Sequence, residues 1–550
     1  MSTRSTKSSK KNRSTVRTIP RREPEAAPVQ DLPENAWRIG AIVILLVAAG
    51  LRLYDLNLVP LHHDEGVNGN FLVRLVREGA YQYDPANYHG PTLYYFAALI
   101  PWITKLLFGT SARETYGLTT FTIRLIPVLF GIGTIVLVFL LRRKLGTVAT
   151  LAAGLMLAVS PGAVYLSRYF IHETLFVFFT LGIVVAVVWF YEERNPSYLI
   201  PAAACASLLG ATKETAFISV GVLLIALVLT VFYMSLNRKG QARRYREAEG
   251  LSRITEPFGT TSFVTSIALA AIVFVTLWIL FYSSFFTNNK GIWDSLETFN
   301  IWTKTGSTAH EHPPSQYLIW LVRQESSLLF LGVIGAAMAV LKPRNSLALF
   351  CALWSFGLIA AYSLIPYKTP WLVLNFLIPL ALISGHAIQE IYEMDQRQLR
   401  LAAVILVVAL GIATYQSINL NFINYDNDNE KYVYVYAHTT RPLLDLVNQV
   451  EEIAKENQGG QTGITIVSPD YWPLPWYFRN FSRVGYYGRM AASSEPIIIA
   501  NENQKTEVEE NFGELYRQVP SDAEGGTFEL RPGVKLLLYV RRSGFLAPAN

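Results

Sequence analysis

The sequence predicts a polytopic α-helical membrane protein with a small α/β domain at its C-terminal end. Three observations make that prediction. Of 550 residues, 51% are hydrophobic and only 16% are charged, where a soluble domain carries about a quarter charged residues. Apolar runs close to the ~20 residues that cross a hydrocarbon core recur up to residue 420. Beyond that point come an amphipathic helix signal, "PLLDLVNQVEEIAKEN" (442–457), and short apolar runs, "ITIVSP", "PIIIAN" and "VKLLLYVRR", the alternation of an α/β unit.

Residues 1–36 are rich in Ser, Thr, Lys and Arg and have no apolar stripe. They read as a disordered basic tail that stays in the cytoplasm beside anionic lipid. No apolar core with a small-residue cleavage site follows closely enough for a signal peptide. Spans are placed near 38–58, 119–141, 147–166, 174–191, 198–212, 214–234, 260–285, 326–341, 346–366, 370–390 and 400–419. With these eleven, the basic loops "LRRKLG", "NRKGQARRYR" (237–246), "LKPRN" (341–345) and "MDQRQLR" (394–400) all fall on the side of the tail, as the positive-inside rule requires. Residues 37–420 then form a membrane domain of about eleven transmembrane helices in a plasma or inner membrane, and 421–550 an extracytoplasmic α/β domain.

The net charge of +6 sits largely in the tail and those loops, so it argues for topology and not for nucleic acid. Cys205 and Cys351 lie in apolar runs and give neither a disulfide framework nor a zinc knuckle. The segment "GPTLYYFAALIPWITKLLFG" (90–109) is too interrupted to span and reads as an amphipathic interfacial helix. Around "GATKETAF" (210–217) two spans are short, and Lys213 and Glu214 need water, protein or each other. No internal repeat supports an inverted-repeat transporter.

The first span ends in "LVPLHHDEGVNGN" (58–70), which puts His62, His63, Asp64 and Glu65 at the outer rim. "SRYFIHE" supplies Ser167, Arg168, His172 and Glu173 at the same rim, "YKTPW" supplies Lys368, and Arg323, Glu325, His310 and His312 precede the eighth span. Ionisable groups near a bilayer are costly unless paired or functional, so their convergence is informative. Bland readings stand beside this one. Arg52 and Arg124 read most simply as snorkelling side chains, His89 as an exposed loop residue, and "YQYDPANY" and "LPWYF" as an interfacial aromatic belt. Taken together, carboxylates and imidazoles hold a divalent cation, Arg and Lys neutralise phosphate, and a free carboxylate serves as general base. A phosphate leaving group needs charge neutralisation but little protonation, so one base suffices where a glycosidase needs a carboxyl pair.

The ordered set "LRLYDL…HHDEGVNGN…YHGPTLYYF…TFTIRLIPVLFG", "SPGAVYLSRYFIHET", "ATKETA" and "YKTPWLVLNFLIPLALISG" resembles the GT-C glycosyltransferases that use polyprenyl-phosphate sugars. These include the protein mannosyltransferase and aminoarabinose transferase group; the nearest likeness is to the flippase-activity-associated branch of archaeal-type N-glycosylation. The likeness covers roughly 38–390 and, locally, "YWPLPWYFRN" (471–480). It implies that Asp64 is the catalytic base with Glu65 beside it, and that Arg168, Lys368 and Arg323 face the donor phosphate. It also implies that His63, His172 and Glu173 hold a metal. His172 stands where several relatives have Asp, which leaves the cation open among Mg²⁺, Mn²⁺ and Zn²⁺. The implied reaction is a single inverting displacement from a polyprenyl-phosphate-linked sugar to a protein, glycolipid or lipid-linked glycan. Two other readings stay open: a lipid-linked-sugar flippase or flippase accessory without transfer chemistry, and a metal-binding sensor.

Overall fold

The computed structural model describes residues 32–79, 81–85, 89–241, 260–305, 311–393, 396–429, 431–521 and 526–542. All but the last few residues of the predicted tail, much of the 237–246 loop, the first two residues of the 394–400 loop, and His310 lie outside the described residues.

Among the described residues, eight helices are long and apolar enough to cross a membrane, and ten spans result if each of two bent pairs counts as one. The bent pairs are Thr147–Val159 with Pro161–Ser167, at 62°, and Gln316–Gln324 with Ser326–Leu341, at 111°. Both breaks have local causes. Ser160 caps the second helix of the first pair through the Ala163 N–H, and Pro161 follows as its first residue; proline has no N–H to give there and starts a helix readily. In the second pair, Glu325 at the corner has left helical geometry. The one remaining predicted span, 198–212, corresponds to a short apolar helix, Leu199–Gly210, too brief to count by length.

Helix Pro370–Tyr392 is the axis of the bundle, 94% buried over its apolar window. A helix apolar on every side is what a bundle centre requires, and Thr147–Val159, Ser326–Leu341 and Ser346–Leu364 pack around it. By contrast Ser262–Tyr282 and Arg400–Ile423 bury little of themselves and present Val264, Ile272, Val404 and Val407 outward. The predicted interfacial helix exists as Thr92–Phe108, with its first half buried and Leu106, Leu107 and Phe108 exposed.

The C-terminal unit is a six-stranded sheet of β1 (Ile464–Ile466), β2 (Val484–Tyr486), β3 (Ile497–Asn501), β4 (Tyr516–Gln518), β5 (Phe528–Arg531) and β6 (Val534–Arg541), in the order β2-β1-β3-β6-β4, with β5 also on β6. β1 runs parallel to β2 and β3, while β6 is antiparallel to its three partners. Alternation along β3 explains its two cores. Ile497 and Ile499 face helix Pro442–Glu456 through Leu443, Leu446 and Val450, and Ile498 and Ala500 face helix Lys505–Phe512 through Val508 and Phe512. A sheet covered on both faces needs apolar residues at consecutive positions, and "PIIIAN" supplies them.

Candidate active site

The HHDE turn begins helix His63–Glu78 with a reciprocal cap. The Asp64 N–H donates to His62 Nδ1 at 3.1 Å, and the His62 N–H donates to Glu65 Oε2 at 3.1 Å. His62 Nε2 lies 3.1 Å from the Tyr436 carbonyl, which can only accept. His62 is therefore the neutral Nε2–H tautomer.

Glu65 is fully buried in a fork-to-fork pair with Arg124, Nε to Oε1 at 2.8 Å and Nη2 to Oε2 at 2.6 Å. Its Oε1 also accepts the Phe170 N–H at 2.8 Å, so both oxygens are shared between two donors. Arg124 spends its remaining donors on the carbonyls of Leu56, Val59 and Pro60. One buried pair thus fixes the exit of the first span, the start of the HHDE helix and the SRYFIHE turn. Asn68 adds a second tie, its Nδ2 donating to the Phe170 carbonyl at 3.0 Å. Asp64 differs. Its side chain is 30% exposed, and the unprotonated Nδ1 of His62 lies 4.0 Å from it; among the described residues no donor holds its carboxylate.

Arg168 gives its guanidinium to the carbonyls of Leu51, Arg52, Tyr54 and Asp55, closing the C-terminal end of the first helix. Burial, and then the Arg124 charge, pull it down to about 10. It lines a small cavity with Arg124, Tyr165, Tyr169, Asn421 and His438. Lys368 is buried and donates to the carbonyls of His312, at 3.2 Å, and Ile365, at 2.5 Å; burial lowers its ammonium below the usual lysine range. No carboxylate pairs with it among the described residues. Its neighbours join the same corner: Tyr367 lies in the combined field of Lys213, Asp64, Glu173 and Glu214, and the Trp371 ring stands 6.3 Å from His62. Arg323 lies outside this junction, exposed on helix Gln316–Gln324.

The metal-ligand set does not assemble. Glu173 Oε1 is taken by Lys213 Nζ at 2.5 Å, His172 Nε2 faces the Gly90 carbonyl at 3.0 Å and must donate to it, and His63 packs on Trp472 at 6.0 Å. Among the described residues no group of three or more His, Cys, Asp or Glu is able to hold a metal ion. Pairing with Lys213 takes up one oxygen of Glu173, and the Gly90 carbonyl one ring nitrogen of His172.

Two bland readings also change, and the expected need of Lys213 and Glu214 for partners is met by protein. Arg52 and Arg124 are 1% and 2% exposed and do not snorkel; Arg52 bonds Ser167 and the carbonyls of Leu157 and Ala158. His89 is paired with Glu214 at 2.8 Å. Lys213 and Glu214 are each satisfied, but by Glu173 and His89 and not by one another. Burial would raise Glu214, yet the charge and hydrogen bond of His89 outweigh it and bring the carboxyl to about 2. Arg124 and Lys213 are the residues the sequence undervalued. An arginine inside an apolar run was the available signal, since such a charge needs a buried partner.

The C-terminal unit closes over this corner. Trp472 and Pro473 press on Gly66, and a Cβ at Gly69 would lie 2.6 Å from the Trp476 ring. The glycines of "EGVNG" therefore let the domain approach the helix backbone. The Tyr477 hydroxyl oxygen accepts the Leu61 N–H at 2.9 Å.

The fold is that of the GT-C membrane glycosyltransferases. The profile of the dolichyl-phosphate-mannose-protein mannosyltransferase family matches residues 96–242, a stretch that holds Arg168, His172, Glu173 and Lys213 but not Asp64. ArnT of Cupriavidus metallidurans bound to undecaprenyl phosphate superposes with a TM-score of 0.59 at 11% identity, over 94% of this chain and 100% of that one. The AglB oligosaccharyltransferase of Archaeoglobus fulgidus, in complex with an inhibitory peptide and a dolichol-phosphate, gives 0.52 at 14% identity, over 93% of this chain and 75% of that one. The mycobacterial arabinofuranosyltransferase AftD gives 0.51 at 11%, over 93% and 40%. No curated protein sequence matches the chain.

Proposed function

We propose that this chain is an integral-membrane inverting glycosyltransferase that moves a sugar from a polyprenyl-phosphate donor to an acceptor hydroxyl or amide on the extracytoplasmic side. The observation that carries the reading is the contrast within one helical turn. Glu65 is locked to Arg124 and Phe170, while Asp64, on the same rigid turn, keeps a partly exposed carboxylate that no donor among the described residues holds. A general base must be held in place and still be open to its substrate, and Asp64 meets both conditions. Glu65 and Arg124 act as positioning residues.

In this mechanism Asp64 removes the acceptor proton as the acceptor attacks the anomeric carbon opposite the phosphate. The leaving phosphate is met by Lys368, for which no carboxylate competes among the described residues, and by Arg168 at the cavity behind Tyr169. A cation beside a leaving phosphate stabilises the charge that develops there. No step is assigned to a metal, because the groups expected to hold one are engaged elsewhere.

The test is to incubate purified protein with a panel of polyprenyl-phosphate sugars and with glycan and peptide acceptors, and to identify products by mass spectrometry. Transfer by the wild type, lost in Asp64→Asn with donor binding retained, is the expected result. Donor translocation across vesicles without any transfer product would replace the enzyme reading by the flippase one.

A further inference from the structure

The geometry points to a carbohydrate-binding platform on the C-terminal domain, which takes a pyranose unit of the acceptor and presents it to Asp64. This deepens the transferase reading and rests on it.

The first argument is topological. From β1 the chain continues to β2 on one side, and from β3 it continues to β4 on the other. The carboxyl ends of two adjacent parallel strands with oppositely directed connections border a crevice, the usual place for a ligand in open α/β sheets. Here that edge is turned toward the membrane domain: the segment that follows β1 carries Asp470, Tyr471, Trp472 and Pro473, and Trp472 and Pro473 press on Gly66. The crevice therefore opens beside the turn that bears Asp64.

The second argument is chemical. Four rings stand in series along this edge: His63 and Trp472 at 6.0 Å, Trp472 and Tyr471 at 5.6 Å, Tyr471 and Tyr486 at 5.2 Å. All four residues are half-buried. They are not closed into the core, as Trp476 and Phe478 are a few residues later. Beside them Asp470 and Arg531 form an ion pair whose side chains stay 33% and 27% exposed, and His63 lies in the field of both. Flat ring faces receive the C–H face of a sugar, and a carboxylate next to a guanidinium offers planar acceptor and donor pairs to vicinal hydroxyls. An apolar peptide side chain would use the rings but make no hydrogen bond to the Asp470–Arg531 pair, which favours the sugar.

The experiment uses the full chain in nanodiscs without donor. Saturation-transfer NMR is recorded with methyl α-mannopyranoside, methyl β-glucopyranoside, methyl N-acetyl-β-glucosaminide and a short Ser/Thr/Asn peptide as probes. At least one pyranoside should receive saturation, with affinity falling about three- to tenfold in Trp472→Ala, the scale of one lost aromatic stack. Tyr486→Leu, at the far end of the series and away from Gly66, should show a similar loss even where Trp472→Ala disturbs docking. Asp64→Asn should bind as the wild type does. Binding of no pyranoside, or binding untouched by both ring variants, overturns the platform. So does preference for the peptide. None of these outcomes involves turnover, so a failure here would end the platform and leave the transferase reading to its own product assay.

Discussion

Two turns of this molecule begin alike and end differently. "HHDE" at 62–65 and "IHE" at 171–173 each set histidine before acid at the start of a helix. In the second, the acid is buried against a lysine from another loop, and the histidine is tied to backbone. In the first, the buried pairing falls to the second acid, Glu65, and leaves Asp64 open. An extra acid at a helix start separates the structural task from the chemical one. A buried carboxylate with a bidentate partner has no lone pair to offer a substrate; its neighbour, one residue earlier, does.

The comparison breaks most visibly at Asp64. Asp64→Asn should reduce transfer ~10²- to 10⁴-fold, the usual contribution of a general base, with no change in thermal unfolding. A variant that transfers at wild-type rate would remove Asp64 from the reaction. At the other acid the effect should move from rate to stability. Glu65→Gln leaves Arg124 buried without its counter-charge and should cost ~3–5 kcal/mol, seen as a fall in unfolding temperature, and Glu173→Gln should do the same to Lys213. Removing both partners, as in Glu65→Gln with Arg124→Gln, should cost less than the two single changes added; strict additivity would mean that the pair is not coupled. Gly66→Ala should cost a smaller ~1–3 kcal/mol through overpacking against Pro473, read as faster hydrogen exchange in residues 471–480.

The mildest test uses pH. Glu214 has an ordinary value of 4.5 and is held near 2 in the folded protein. Its contribution is thus complete above about pH 4.5 and disappears as the pH falls toward 2. Acid unfolding followed by near-UV circular dichroism should be shallower over that window in Glu214→Gln than in the wild type. Equal slopes would show that the His89 pair contributes nothing.

Hydrophobic length made the spans legible: each predicted segment corresponds to a helix, because crossing a bilayer constrains a run of residues one after another. The α/β alternation after residue 420 was legible for the same local reason. Pairing was not. That Glu65 takes Arg124 and Glu173 takes Lys213 is decided by which helices lie side by side, 59 and 40 residues apart in the chain. The expected metal ligands failed on the same ground. The glycines at 66 and 69 were visible in the sequence, but their reason lies some 400 residues away in Pro473 and Trp476.

The placing of β6 has a bearing on biogenesis. It comes last of the six strands, yet it alone joins β3 to β4 and β5. Until residues 534–541 have been translated, no strand pairing among the described residues joins β3 to β4 and β5. The roof over Asp64 therefore assembles after the bundle beneath it has been threaded. Contacts so distant in sequence form late in folding, so the nascent chain would wait, unroofed, for its final strand.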